Sequence, residues 1–171
     1  MTWWFWTVLF VVLLFGFVVV RGAPYVPSHR RFVRLAFTKL YRLSDKDVLV
    51  DVGSGDGIIL RLAAERGAQA IGYELNPALV VVSQVLAKGD PKIKTKLADF
   101  WLVDLPKETT IVYAFAVSRD VAKLERKMQQ TANKNRQNIW LMTYGAKLHS
   151  KEPTKLLHAH TLYLFEPQNN S

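Results

Sequence analysis

The sequence DVGSGDG, residues 51–57, places three glycines at alternate positions between an apolar run and a helix-like segment. Because glycine lacks a Cβ, such a chain can turn tightly and bring its amides close to a ligand. A helix behind the turn points its N-terminus at the same place and favours negative groups there. Alone, the pattern is compatible with a plain tight turn, a dinucleotide site or a methyl-donor site.

Two positions favour the methyl-donor site over the dinucleotide site. The dinucleotide fingerprint G-x-G-x-x-G, counted from Gly53 and Gly55, requires a third glycine at position 58, where this chain has Ile58. Asp51 ends the strand ahead of the loop. A pyrophosphate would repel a carboxylate at that position, whereas a ligand ammonium group would be attracted to it.

Two further acids end the next two predicted strands. Glu74 lies 21 residues beyond Gly53, close to the separation at which an acid meets ribose hydroxyls in nucleotide-binding α/β folds. Asp99 ends the third strand, where it can accept a hydrogen bond from the exocyclic amine of adenine. Acids at the ends of three consecutive strands suit a nucleoside that carries an amino acid and a cationic sulfonium, as S-adenosylmethionine does.

Alternating strands and helices are predicted to position these residues. Strands are expected at 47–52, 68–74, 93–100, 110–117, 138–145 and within 156–167, with helices at 57–67, 77–89 and 118–134. Such alternation is typical of βαβ units, and it predicts an α/β fold with a mainly parallel sheet and helices on both faces. Ligands of such sheets bind at the carboxyl ends of the strands, where DVGSGDG lies.

The N-terminal region has a different composition from the remainder. Residues 2–20 carry no charge, and as a helix they would extend about 28 Å, close to the hydrocarbon thickness of a bilayer. Trp3, Trp4 and Trp6 cluster at one end, as is typical of membrane interfaces. We therefore predict one transmembrane helix, an uncleaved anchor over residues 1–21. A cleaved signal peptide is the less favoured alternative, since no basic residue precedes the run and no small-residue cleavage site follows it.

Residues 22–46 are predicted to form a connector and a basic amphipathic helix. Pro24 and Pro27 favour an extended connector, and Ser28 can cap the helix that follows. Because the basic residues follow the apolar run, we expect a single-pass protein whose body, residues 47–171, faces the cytoplasm, or the matrix if the protein is mitochondrial. We expect the basic helix to contact anionic lipid; nucleic acid is a weaker alternative.

Metal binding is not expected from this sequence. The chain, with a net charge of +9, has no Cys, which excludes disulfides and thiolate metal sites. His158 and His160 in the sequence HAH are predicted to lie on one face of a strand. A metal is conceivable there, but no third ligand is evident, and a surface or core pair is favoured.

The glycines and acids together resemble the class I S-adenosylmethionine-dependent methyltransferases. The segments APYVPS, DVGSGDGIIL, GYELNPALV, ADFW and LERKM, in this order between residues 23 and 128, resemble more narrowly a family of small membrane-anchored protein-lysine methyltransferases. Its mitochondrial members act on the adenine nucleotide translocase and the ATP synthase c-subunit. The resemblance implies a Rossmann-like methyltransferase fold with S-adenosylmethionine as cofactor. The predicted cofactor-binding residues are Asp51, Gly53, Ser54, Gly55, Gly57, Glu74, Asn76, Asp99 and Phe100.

The predicted activity is methylation of a lysine side chain of a membrane protein. Tyr25, on the connector, is the candidate for lining the acceptor channel. The segment YGAKLHSKEP, residues 144–153, departs from the aromatic and proline-rich segment of the family, so the acceptor protein is not identified. The alternatives are a membrane-tethered cofactor-binding or assembly protein without turnover, and a methyltransferase acting on a nucleic acid or a small molecule.

Overall fold

The structure, a computed structural model, describes residues 3–9, which are helical, and residues 29–168. Among these residues, no helix is long and apolar enough to cross a bilayer. Only residues 3–9 of the predicted anchor are described. The remainder of the anchor, the connector, Ser28 and Tyr25 lie outside the described residues.

Four helices and seven strands follow in the order that the alternating pattern predicts. The helices are α1 (Arg30–Lys39), α2 (Ile58–Ala64), α3 (Pro77–Ala87) and α4 (Val121–Asn135), the last preceded by a 3₁₀ turn at Ser118–Asp120. The strands are β1 (Val48–Val52), β2 (Gln69–Glu74), β3 (Ile93–Leu97), β4 (Ile111–Ala116), β5 (Ile139–Gly145), β6 (Lys155–Leu157) and β7 (His160–Phe165).

The strands form one sheet in the order β3-β2-β1-β4-β5-β7-β6. Within the group β1 to β5, every pair of neighbouring strands is parallel, whereas β7 is antiparallel to both β5 and β6. The prediction of a mainly parallel sheet is therefore confirmed. The strand order reverses between β1 and β4, which is the position at which open α/β sheets bind ligands.

Helices cover both faces of the sheet, but unequally. On one face, α1 and α2 pack against the sheet through a core that includes Phe37, Leu60 and Tyr113. On the other face, α4 is the one helix of residues 29–168 that packs against the sheet, through a core that includes Met128, Val112 and Leu141. The prediction of helices on both faces is confirmed, with the larger helical layer on the α1 side.

Helix α3 lies on the same face as α1 and α2. Ser83 of α3 hydrogen-bonds with Thr95 of β3, the two hydroxyl oxygens being 2.7 Å apart. Thr95 is the register partner of Gly72 in β2, and a Cβ on Gly72 would approach Leu60 of α2 to 2.8 Å. Because register partners in a parallel pair point to the same face, the three helices form one layer.

Three predicted elements differ in their bounds. The basic helix predicted within residues 22–46 is α1, and it ends at Lys39, because Tyr41 and Ser44 instead donate hydrogen bonds to the Asp47 carboxylate. β3 ends at Leu97 rather than at residue 100. The last predicted strand is a hairpin of β6 and β7, and His158 in its turn has a φ of 52°. The prediction that His158 and His160 share one face of a strand was therefore wrong.

Candidate functional site

The glycine loop leaves the carboxyl end of β1 with three left-handed residues. Gly53, Gly55 and Gly57 have φ values of 69°, 54° and 76°, a region that strains other residues. A Cβ at Gly53 would meet no protein atom within 4 Å, so the backbone there is open to a ligand. A Cβ at Gly57 would clash with the Ser83 hydroxyl. The first glycine therefore serves close approach, and the third serves the packing of α3 against the loop.

The Glu74 carboxylate joins the glycine loop to the start of α3. One oxygen accepts from the Gly55 amide at 2.8 Å, and the other accepts from the amides of Leu75 and Asn76 at 2.9 and 2.8 Å. The residue is only 9% exposed. A carboxylate has about four acceptor positions, so one remains for a ligand hydroxyl. Glu74 thus both builds the loop and retains the capacity predicted for it.

Asn76 has a structural role at the beginning of α3. Its side-chain oxygen accepts a hydrogen bond from the Ala78 amide at 3.0 Å, and Pro77 follows at the first helical position. This combination is a strong helix-start signal. The predicted cofactor residue therefore positions the helix behind the site.

Asp99 and Phe100 lie in the turn that follows β3. The Asp99 carboxylate accepts from the Trp101 amide at 2.9 Å, which closes the turn and ends the strand. The Phe100 side chain is 4% exposed, and its ring packs 6.4 Å from the Tyr73 ring. Asp99 therefore lies at the strand end as predicted, whereas the Phe100 side chain belongs to the core on the α4 side.

Ser54 is directed away from the open side of the loop. Its hydroxyl is buried and has no hydrogen-bond partner among residues 3–9 and 29–168. A Cβ on Gly72 would clash with that hydroxyl, which shows that the Ser54 side chain lies over the middle of β2. The side chain therefore packs into the sheet, and only its backbone faces the loop.

Asp51 lies in a negative electrostatic potential to which Glu74 and Asp56 contribute. It is 3% exposed, and burial, then Glu74 and then Asp56 raise its pKa to about 8. Each of these carboxylates raises the cost of ionising Asp51, and a bound cation would lower that cost. The site therefore suits a ligand with positive groups and disfavours one with a pyrophosphate. These residues fit an S-adenosylmethionine molecule, which carries an ammonium and a sulfonium.

Asp56 was absent from the residues predicted from the sequence. Its carboxylate accepts from the Ile58 amide at 3.1 Å and pairs with Arg61 at 3.2 Å, which fixes the start of α2. The role of Asp56 could have been predicted from its position in DVGSGDG, because carboxylates are favoured directly ahead of the first turn of a helix.

Aromatic side chains at the carboxyl ends of β4 and β5 also had no predicted role. Phe115 and Tyr144, both half-buried, have ring centroids 5.9 Å apart, and the centroids of the Tyr144 and His160 rings are 4.8 Å apart. The alternation of aromatic residues along the strands was the available signal. These rings form an apolar wall beside the strand ends.

His160 is a core histidine. It is 1% exposed, its Nε2 lies 3.1 Å from the Tyr113 hydroxyl, and burial, with a smaller contribution from His158, lowers its pKa to about 4. The described residues contain no group of three His, Asp or Glu that could hold a metal ion.

Sequence comparison identifies curated relatives of this chain. A curated lysine N-methyltransferase of the ATP synthase c-subunit from Xenopus laevis is 38% identical over 109 residues, covering 62% of this chain and 47% of the relative. The human protein of that name is 34% identical over 110 residues, covering 63% and 46%. The chain therefore spans about half the length of the curated relatives that it matches.

The fold also has solved counterparts. The crystal structure of an RNA methyltransferase from Salinibacter ruber, in complex with S-adenosyl-L-homocysteine, superposes with a TM-score of 0.72. It is 24% identical, and the match covers 85% of this chain and 97% of that one. This likeness concerns the fold, and it confirms the predicted α/β methyltransferase architecture.

A family model provides the assignment. The model described as the ANTKMT methyltransferase domain matches residues 51–153, from the end of β1 to the loop after β5. This confirms the resemblance predicted from the sequence, and with it S-adenosylmethionine as the cofactor. Since the match covers more than half of the 171 residues, the chain belongs to the ANTKMT methyltransferase domain family.

Proposed function

We propose that this chain transfers a methyl group from S-adenosylmethionine to a lysine side chain of a membrane protein. The observation that carries the proposal is the pair of buried acids, Asp51 and Glu74, beside an open left-handed glycine loop. The family assignment supports the reaction class. The names of the curated relatives, lysine N-methyltransferases of the ATP synthase c-subunit, support lysine as the acceptor.

The protein residues bind and orient the donor. When bound, S-adenosylmethionine supplies an electrophilic methyl group on a sulfonium. Glu74 has one acceptor position left for a ribose hydroxyl, and Asp99 can accept from the adenine amine. Asp51 offers a carboxylate for the ammonium group, and Gly53 leaves room for close approach of the backbone. These residues hold the donor in place and exclude water, which is most of what an in-line displacement requires.

The acceptor lysine has to be neutral when it reacts. With an ordinary pKa of about 10.4, only about one lysine in a thousand is neutral near pH 7.4. Apolar surroundings and a nearby positive charge both lower that pKa, so no dedicated base is required. The half-buried rings of Phe115 and Tyr144 support an apolar approach at the strand ends. Tyr25, outside the described residues, is proposed to complete the wall of this channel.

A membrane location is part of the proposal. The uncharged run of the predicted anchor ends at residue 20, and only nine residues, 21–29, separate it from α1. Fully extended, nine residues reach about 30 Å, so the site would stay close to the bilayer. We propose that the body faces the cytoplasm, or the matrix if the protein is mitochondrial, and meets its acceptor at the surface of that membrane.

The test is transfer of labelled methyl groups by the full-length chain. Membranes and cytosol from cells lacking this protein are incubated with the chain and labelled S-adenosylmethionine. We expect label in a membrane protein, recovered as methyllysine after hydrolysis. Asp99→Ala should abolish the signal, whereas Asp104→Ala, at an exposed acid away from the strand ends, should retain it.

Two results would contradict the proposal in different ways. Label confined to cytosolic protein or to nucleic acid would refute a membrane-protein lysine as the acceptor. Cofactor binding by calorimetry without transfer to either fraction would instead favour the cofactor-binding or assembly role.

A further inference from the structure

The outer face of α3 is apolar. Val81, Val82 and Val85 are 58%, 42% and 69% exposed, and Leu86 is 41% exposed. These residues lie on the side of the helix opposite Val80, which is buried against the sheet. Helices on the surface of a globular protein normally place polar residues on this side.

Of the two polar residues of the helix, Gln84 is exposed and Ser83 is directed inward. Ser83 is 1% exposed and hydrogen-bonds with Thr95 of β3. Leu97, two residues beyond Thr95 on the same face of the edge strand, is 59% exposed and extends the apolar surface. We call Val81, Val82, Val85, Leu86 and Leu97 the valine face. A cluster of large exposed apolar side chains of this kind marks a contact with another molecule or a membrane.

The helical layer that contains the valine face is strongly basic. Residues 30–42, 56–66 and 77–88, which include α1, α2 and α3, contain eight basic residues and two acidic residues, Asp56 and Glu65, which pair with Arg61 and Arg34. The basic residues are Arg30, Arg31, Arg34, Lys39, Arg42, Arg61, Arg66 and Lys88. An apolar face flanked by Lys and Arg is complementary to a bilayer that contains anionic lipid. A second copy of the chain on this face would bring two basic layers together, which electrostatic repulsion disfavours.

We propose that the α1–α3 layer lies on an anionic bilayer, with the valine face in the boundary between headgroups and acyl chains. α1 belongs to this layer and begins directly after the connector from the predicted anchor. The anchor and the valine face would thus hold the body at two points and fix its orientation. The carboxyl ends of the strands then lie at the side of the layer, open to a lysine near the lipid surface. The inference rests on the proposed membrane location and not on methyl transfer.

The chain allows a direct test because it contains no Cys. Val85→Cys places a single environment-sensitive fluorophore on the valine face. Gln130→Cys, at an exposed position of α4, is the matched control on the opposite face of the sheet. Each full-length labelled protein is reconstituted in phosphatidylcholine nanodiscs, with or without phosphatidylserine, and quenched by lipids that carry a nitroxide near the headgroup.

We expect quenching at position 85 to exceed that at position 130 by about twofold or more, because interfacial helices lie within reach of the headgroup boundary. Phosphatidylserine should increase the difference, and adding Val81→Asp to the Val85→Cys protein should reduce it. Circular dichroism checks that the variants are folded. A variant that contains Val85→Cys and loses its fold is replaced by Val82→Cys, and the comparison is repeated.

Three results would overturn the proposal. Equal quenching at positions 85 and 130 would show that the face is away from the lipid. Energy transfer between chains labelled at position 85 would identify a second copy as the occupant. A blue-shifted emission that persists in detergent without quenching by lipid would show that residues 10–28 of the same chain cover the face. Because none of these measurements involves turnover, failure here and failure of the proposed activity are distinguishable.

Discussion

The buried Asp51 predicts that Asp51→Asn stabilises the cofactor-free protein and that the effect grows with pH. Its pKa rises from 3.8 to about 8 on folding, so the folded state binds the proton more tightly than the unfolded state. The free energy of unfolding therefore falls as pH rises between these two values. pH 7 is about 3 units above the unfolded pKa, and each unit costs about 1.4 kcal/mol, so the loss of stability at pH 7 is at most about 4 kcal/mol. Since relaxation and water entry reduce such costs, we expect about 1–3 kcal/mol from Asn, which is neutral at every pH.

Urea unfolding followed by circular dichroism at several pH values between about 6 and 9 measures this effect. Asp47→Asn is the matched control. Asp47 is also buried, but its carboxylate accepts hydrogen bonds from Tyr41, Ser44 and Thr110, the shortest at 2.6 Å. Its replacement should destabilise the fold at every pH, by about 1–3 kcal/mol.

Asp51→Asn is also expected to lose function. Asp51→Asn should weaken binding of S-adenosylmethionine in calorimetry, because the amide cannot provide the negative charge that attracts a cationic ligand. The same substitution should stabilise the cofactor-free protein, a trade of stability for function that is common at binding sites. If the stability of Asp51→Asn falls with pH as steeply as that of the wild type, or if the variant is less stable at every pH, the assignment of a raised pKa to Asp51 is refuted.

Three further outcomes are expected. Glu74→Gln should lower both cofactor affinity and the free energy of unfolding, by about 1–3 kcal/mol each. Both carboxylate oxygens accept hydrogen bonds from backbone amides, and the nitrogen that replaces one of them in Gln cannot accept. An unchanged affinity in calorimetry would contradict this role. Gly72→Ala should cost about 1–3 kcal/mol in urea unfolding, since the new Cβ would clash with Ser54 and lie 2.8 Å from Leu60 Cδ1. Burial lowers the pKa of His160 from 6.5 to about 4, so the unfolded state binds the proton more tightly than the folded state. The free energy of unfolding should therefore fall as the pH is lowered from about 6.5 to 4. His160→Gln should flatten that acid limb by about 1–2 kcal/mol, and an unchanged acid limb would argue against the buried neutral imidazole.

The order of elements was predictable because apolar runs and glycines mark each of them. The sequence of β4 is an unbroken apolar run, and those of β1, β2 and β5 are mainly apolar, as is typical of buried parallel strands. Asp51, Glu74 and Asp99 could be located from the sequence, because each lies near the carboxyl end of a predicted strand, and these ends meet at one edge of a parallel sheet. The glycine loop was predictable for the same reason.

Side-chain directions and element ends were less predictable, because they depend on tertiary contacts. Ser54 is part of the glycine motif, yet its side chain packs toward Gly72 of the next strand. Phe100 adjoins Asp99, yet its ring packs into the core on the α4 side. The end of β3 is fixed by a local hydrogen bond from Trp101 to Asp99, which no periodicity reveals. The turn at His158 likewise follows from the pairing of β6 with β7.

The two edges of the sheet limit how copies of this protein can associate. One edge is β3, where the exposed Lys94 and Lys96 oppose pairing with a strand of another molecule. The other edge is β6, which has only three residues and offers little backbone for such pairing. Crowding of these molecules should therefore not lead to edge-to-edge sheet growth, and the protein should resist fibrillar aggregation even at high local density.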